Sequence, residues 1–259
     1  MESLPAELKG PLVDLLLSLA DDKFILGHRN ADWTGLAPIL EEDIAFSALA
    51  QDDLAHAAAL YELVASLTGG EANRLAYGRR PEEYRCAHLV ELHDEFDWGV
   101  AIVRQFLCDH FDFLRLARLS RCAWRPLAEL TARMLAEERL GIGHADQWVV
   151  RLGRGTAESH ARVQAALDRL VPLAVGLFEP TEGLERVESA GLYPPLSPDM
   201  FDQWSEAVEN VVEEATLHME LHRPACFAQG GRRGVHSSDF AALLDELTEV
   251  YRIEPEAVW

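Results

Sequence analysis

Five polar residues stand where apolar ones are expected, and four of them are of types that hold metal. A helical apolar stripe runs Phe46, Leu49, Leu60, Leu63, Val64 and Leu67, with Asp53 and His56 set into its middle. A second stripe, Thr131, Met134, Gly141, Ala145, Trp148 and Leu152, has Glu138 at its centre. A third, Ile102, Phe106, Phe113 and Leu116, encloses Asp109. A fourth, Leu12, Leu16, Leu19 and Leu26, encloses Lys23. Lys23 and Asp53 are 30 residues apart and Asp109 and Glu138 29; Lys23 to Asp109 is 86 and Asp53 to Glu138 is 85. Two hairpins repeat one register, with their polar residues expected at one level. Carboxylates and Glu-x-x-His pairs projecting from four helices are the donor plan of a carboxylate-bridged di-iron centre. Oxygen and imidazole ligands suit two divalent irons and leave positions for oxygen.

The plan is incomplete. Lys23 occupies a carboxylate position, and its ammonium repels a cation and cannot ligate while protonated. Gly141 occupies the position of the second histidine, three residues after Glu138. His144 sits about one turn too far along the helix to replace it. Lys23 is instead expected to stand in for the metal and pair with Asp53, Asp109 or Glu138.

The elements that carry these residues read as helices throughout. Helices are expected over residues 11–30, 38–67, 95–119, 126–152, 157–177, 182–190, 199–221 and 237–251, with Pro11 in a first turn. Residues 71–91 read as a polar connection. The glycine-rich segment 230–236 reads as a flexible, basic surface loop, since it lacks the G-K-[ST] of a phosphate loop. No strand-like alternation and no linker between two cores is visible. The expected fold is an all-α bundle with additional C-terminal helices, forming one domain over residues 1–259.

Other chemistry is thin. His93, His110, His160, His218 and His222 have no metal-site spacing, and His218 and His222 lack the glutamate of zinc proteases. The formal net charge of −21 argues against nucleic acid as a partner. Four scattered cysteines without C-x-x-C fit a reducing compartment. The stretch 12–19 is too short to span a bilayer, so the chain is expected to be soluble and cytoplasmic.

Several segments resemble the phenylacetyl-CoA epoxidase subunits, also called ring 1,2-phenylacetyl-CoA monooxygenase. Leu19-Ala20-Asp21-Asp22 and Trp33-Thr34-Gly35-Leu36-Ala37-Pro38 are similar to their opening hairpin. Gln51-Asp52-Asp53-Leu54-Ala55-His56 resembles the Q-D-E-x-x-H ligand motif of the catalytic subunit. Glu137-Glu138-Arg139-Leu140-Gly141 resembles its E-E-x-x-H motif without the histidine. Arg104-Gln105-Phe106, the run from Trp148 to Thr156, the segment 230–236 and the terminal Trp259 resemble the companion structural subunit, the C component. The similarity covers residues 19–259.

The resemblance implies a ferritin-like bundle with no di-iron centre and no catalysis of its own. It implies a homodimer when alone and a hetero-oligomer with the related catalytic subunit, which holds the iron and epoxidises the ring, while a reductase supplies electrons from NADPH. An alternative is a divergent di-metal oxygenase or oxidase active by itself, using Asp53, His56, Asp109, Glu138 and Asp22. A ferritin-like storage or stress protein is a third reading.

Overall fold

The computed structural model describes residues 4–93 and 96–255. Among them the chain is all-α, with no strand. The helices are α1 (Ala6–Ala31), α2 (Leu40–Thr68), α3 (Ala72–Tyr77), α4 (His88–Glu91), α5 (Trp98–Leu119), α6 (Arg125–Gly153), α7 (Ala157–Ala174), α8 (Leu184–Ser189), α9 (Met200–Glu214), α10 (Phe240–Leu247) and α11 (Glu249–Ile253). No helix among the described residues is long and apolar enough to cross a membrane.

The chain divides into two compact units. One is built on α1 and α2, with residues 69–93, 179–182 and 229–255 folded around them. Contacts along this hairpin run in opposite directions: Tyr61 meets Asp21, Asp53 meets Lys23, and Ser47 meets Thr34. The pair is therefore antiparallel. α1 is buried without interruption from residue 15 to 27, so its polar residues must find partners inside the protein. α2 is amphipathic. It buries Phe46, Ala50, Asp53, Ala57, Leu60 and Val64, and stops where Gly69 takes φ 76° and donates to Ala65 O.

The other unit is built on α5 and α6, with α7, α8 and α9. Trp98 stacks edge-on with Trp148, His110 pairs with Asp146, and Arg139 lies over Phe113, so this hairpin is antiparallel too. α5 is buried without interruption from residue 99 to 112. α6 buries Thr131, Met134, Glu138, Gly141, Ala145 and Trp148, the stripe expected from the sequence except for half-buried Leu152. α2 and α6 have 29 residues each, about 43 Å at 1.5 Å per residue.

The structure corrects several expected boundaries. Pro11 lies inside α1, which begins at Ala6 after Pro5. Residues 71–91 are not a bare connection but carry α3, α4 and a 3-10 turn at Pro81–Glu83. α9 ends at Glu214 rather than residue 221. Thr216 takes φ 59°, Leu217 N–H donates to Val212 O and Thr216 N–H to Glu213 O, a Schellman closure without the usual glycine. The expected last helix is two, meeting at Thr248. The expected start at Glu95 and the terminal Trp259 lie outside the described residues; the first described turn of α5 is capped by Asp97, whose carboxylate accepts from Val100 N–H.

Candidate functional site

In the first unit, helix contact positions the site. A Cβ on Gly27 would lie 2.9 Å from Leu54 Cγ and 3.1 Å from Ala50 O. This glycine lets α1 and α2 approach closely beside Asp53. Lys23, one turn earlier, donates from Nζ to Asp53 Oδ1 at 2.9 Å, and Asn30 donates from Nδ2 to Asp53 Oδ2 at 3.2 Å. The lysine and aspartate side chains are 1% and 6% exposed. Burial of either charge alone is costly, and here each is the other's partner. The expected pairing of Lys23 with one of the three carboxylates is met by Asp53. His56, one turn further along α2, is buried at 6% exposure.

In the second unit, Asp109 is 1% exposed and accepts a hydrogen bond from Gln105 Nε2, one turn earlier on α5. Glu138 and Gly141 lie on the buried face of α6, while His144 is only half-buried. Gly141 offers no ligand atom. The six positions are therefore all interior, with Lys23, Asp53 and His56 on the first hairpin and Asp109, Glu138 and Gly141 on the second.

These donors do not fit a di-iron centre. The ammonium of Lys23 is bonded to an oxygen that a bridging or terminal carboxylate would give to metal, and the second histidine is a glycine. Asp22, a ligand in the alternative reading, turns toward the loops. Its Oδ1 accepts from Arg232 at 2.7 Å and from Ala87 N–H at 2.9 Å.

That last contact overturns the expectation of a flexible surface loop at 230–236. Arg232 is 2% exposed and also donates to Ser18 O and Arg85 O. A Cβ on Gly231 would sit 2.3 Å from Cys86 O, and one on Gly234, at φ 76°, 2.0 Å from Glu82 O. His236 Nδ1 lies 2.7 Å from Glu91 Oε1. The loop is a clasp built against residues 81–91, and its glycines are there because backbone meets backbone.

Asp21, beside Asp22, does comparable work. It accepts from Tyr61 Oη at 2.6 Å, from the Arg79 guanidinium, and from Arg85 N–H at 2.6 Å. Burial first, and then the neighbouring Asp21 carboxylate, push the Tyr61 hydroxyl well above its ordinary range, so it stays a proton donor. Sequence reasoning assigned Asp21 no role. The available signal was an acidic pair in a helix apolar on every side.

The remaining histidines do structural work or face water. His110 Nε2 lies 2.8 Å from Asp146, and His160 Nδ1 2.7 Å from Gly153 O. His218 and His222 are exposed and lie beyond the end of α9, so no helical i, i+4 pairing joins them. All four cysteines are free thiols, Cys86, Cys108 and Cys122 buried and Cys226 exposed.

Known proteins resemble the chain along nearly its whole length. It is 27% identical over 245 residues to a protein of Escherichia coli (strain K12) named as the C subunit of 1,2-phenylacetyl-CoA epoxidase, covering 94% of this chain and 97% of that one. The family described as phenylacetic acid catabolic protein matches residues 1–259, the full length. The chain belongs to the phenylacetic acid catabolic protein family.

Proposed function

We propose that this chain is the non-catalytic, structural subunit of a multicomponent phenylacetyl-CoA epoxidase, a ferritin-like bundle that supports a related di-iron catalytic subunit in aerobic phenylacetate degradation. The observation that carries the reading is the Lys23–Asp53 ion pair, buried at the register where a metal ligand belongs. An ammonium there balances the aspartate without iron, and Gly141 removes the second histidine. Family membership and the name of the Escherichia coli relative support the pathway and the existence of a complex. In this reading the chain holds no cofactor, forms a homodimer alone and works in the cytoplasm as a hetero-oligomer. Free thiols and strong acidity agree with a soluble partner protein that avoids nucleic acid.

The test is metal analysis of the purified chain, alone and after co-expression with the catalytic subunit. The expected result is no stoichiometric iron or manganese bound through Asp53, His56, Asp109 and Glu138, and co-elution of the two chains on size exclusion. Two irons bridged by those four residues, or independent elution of the chains, would overturn the proposal.

A further inference from the structure

We propose that Cys86, Glu91 and His236 form a binding site for one divalent cation of the zinc class. The site lies wholly within the α1/α2 unit and owes nothing to the Lys23–Asp53 pair. Cys86 Sγ is 3.6 Å from Glu91 Oε1 and 3.9 Å from His236 Nδ1, and the latter two atoms are 2.7 Å apart. A tetrahedral ion with zinc–sulfur, zinc–nitrogen and zinc–oxygen bonds of ordinary length separates its ligand atoms by about 3.3–3.7 Å. Only the Glu91–His236 contact must open, by roughly half an ångström, as a cation takes the place of the shared proton. Thiolate, imidazole and carboxylate together are a zinc donor set, and three protein ligands leave a fourth position for water.

The surroundings hold these donors in place. Cys86 and Glu91 are both 0% exposed. Glu91 Oε2 accepts from Ser237 N–H at 2.7 Å, which fixes the carboxylate while leaving Oε1 aimed at the other two donors. The His236 ring stacks on Phe240, with centroids 4.0 Å apart. His88 Nε2, 2.8 Å from Val235 O, holds the segment just before the histidine.

The same geometry argues against a catalytic thiol. Cys86 and Glu91 approach the same ring nitrogen, so the imidazole cannot relay a proton between them. Burial, and then the Glu91 carboxylate, push the thiol well above its ordinary range, which leaves it a poor nucleophile. Binding a cation sends the thiol proton to solvent and displaces the proton shared by His236 Nδ1 and Glu91, which moves to Nε2 of a neutral ring or to solvent if Nε2 is already protonated. Since Glu91 and His236 are 145 residues apart, a shared ion would pin the C-terminal clasp to the segment that carries α4.

The experiment uses the full chain, stripped with a chelator and titrated with Zn2+ and, separately, Co2+. One equivalent should bind, and Co2+ should develop a thiolate-to-cobalt charge-transfer band. Cys86→Ser should abolish the band, and Cys226→Ser should leave it. His236→Gln should weaken Zn2+ binding by about 100-fold or more, beyond the loss an outer-sphere partner causes. Zn2+ should also slow alkylation of Cys86 in mild urea without protecting Cys108, a readout independent of any variant's folding. Absence of the band in the unaltered chain at one equivalent of Co2+, its survival in folded Cys86→Ser, or equal alkylation with and without Zn2+ would overturn the proposal. Loss of bound metal on changing Asp53 or His56 instead would place the ion elsewhere and count against the proposed function, not for this site.

Discussion

The two hairpins share a register and solve it differently. In α1/α2 the buried carboxylate of Asp53 is answered by a full charge, the Lys23 ammonium, with an amide of Asn30 beside it. In α5/α6 the position of Lys23 is taken by a carboxylate, Asp109, which accepts a neutral amide from Gln105. The helix approach differs as well. Gly27 brings α1 and α2 into near-backbone contact, whereas Phe113, 86 residues later, fills the matching position with a ring under the Arg139 guanidinium. A glycine and a phenylalanine at one register position demand different spacings, so repetition of sequence pattern does not mean repetition of packing. The buried Lys23–Asp53 pair joins two helices, whereas the buried Asp112–Arg115 pair of the second hairpin, at 2.6 Å, lies within α5.

That asymmetry is open to attack, and the strongest test is Lys23→Met. It takes the ammonium away from buried Asp53 and should destabilise the chain by about 3–5 kcal/mol near neutral pH. Without its ammonium, Asp53 gains from protonation, so the deficit should shrink as the pH falls; denaturant unfolding at two pH values reads both effects. Lys23→Met combined with Asp53→Leu should cost less than Lys23→Met alone. Additive losses would show that the pair is not the organising contact. Lys23→Glu restores a carboxylate without the second histidine, and metal analysis should show no two-iron centre.

Acid sensitivity should also belong to the first hairpin. Burial lowers His28 from 6.5 to about 4, and its ring packs edge-on against Phe24 and Tyr77. The position 86 residues later is Leu114. Because the folded pKa lies below the unfolded one, His28's contribution is complete above about 6.5. It declines as the unfolded chain takes up the proton, and levels off below about 4. The loss is up to about 3 kcal/mol, and His28→Leu should flatten it in a stability profile against pH. An unchanged profile would locate the acid sensitivity elsewhere.

Gly27→Ala tests the close approach. The new methyl meets Leu54 and the Ala50 carbonyl, and should cost about 1–3 kcal/mol in thermal or denaturant unfolding. The smallest expected effect is that of Asp109→Asn. Its amide oxygen still accepts from Gln105, so the loss should be about 1 kcal/mol. A loss as large as that of Lys23→Met would erase the contrast between the hairpins.

Much of this was legible from residue types and spacing. The four long helices follow from 3.6-residue stripes, and α2 and α6 end within a residue or so of the glycines that stop them. Lys23 was identifiable as a charge that needed a carboxylate because every neighbour on its stripe is apolar. The end of α9 was not legible, because Thr216 closes it without glycine or proline. Nor was the clasp. Gly230, Gly231 and Gly234 look like a mobile loop in one dimension, where glycine signals only conformational freedom.

Residue order is enough to give the all-α class, the two repeated hairpins, the acidic character and the presence of Lys23 and Gly141 at two positions of the ligand pattern. Each follows from local periodicity or from counting donors, and none requires knowing what is near what. Only docking in three dimensions makes Lys23 choose Asp53, lets Asp21 and Asp22 gather the loops, and brings Cys86, Glu91 and His236 together. The physical reason is distance along the chain. Partners 30 to 210 residues apart are joined by how the segments pack, and a buried charge states that it needs a partner without saying which.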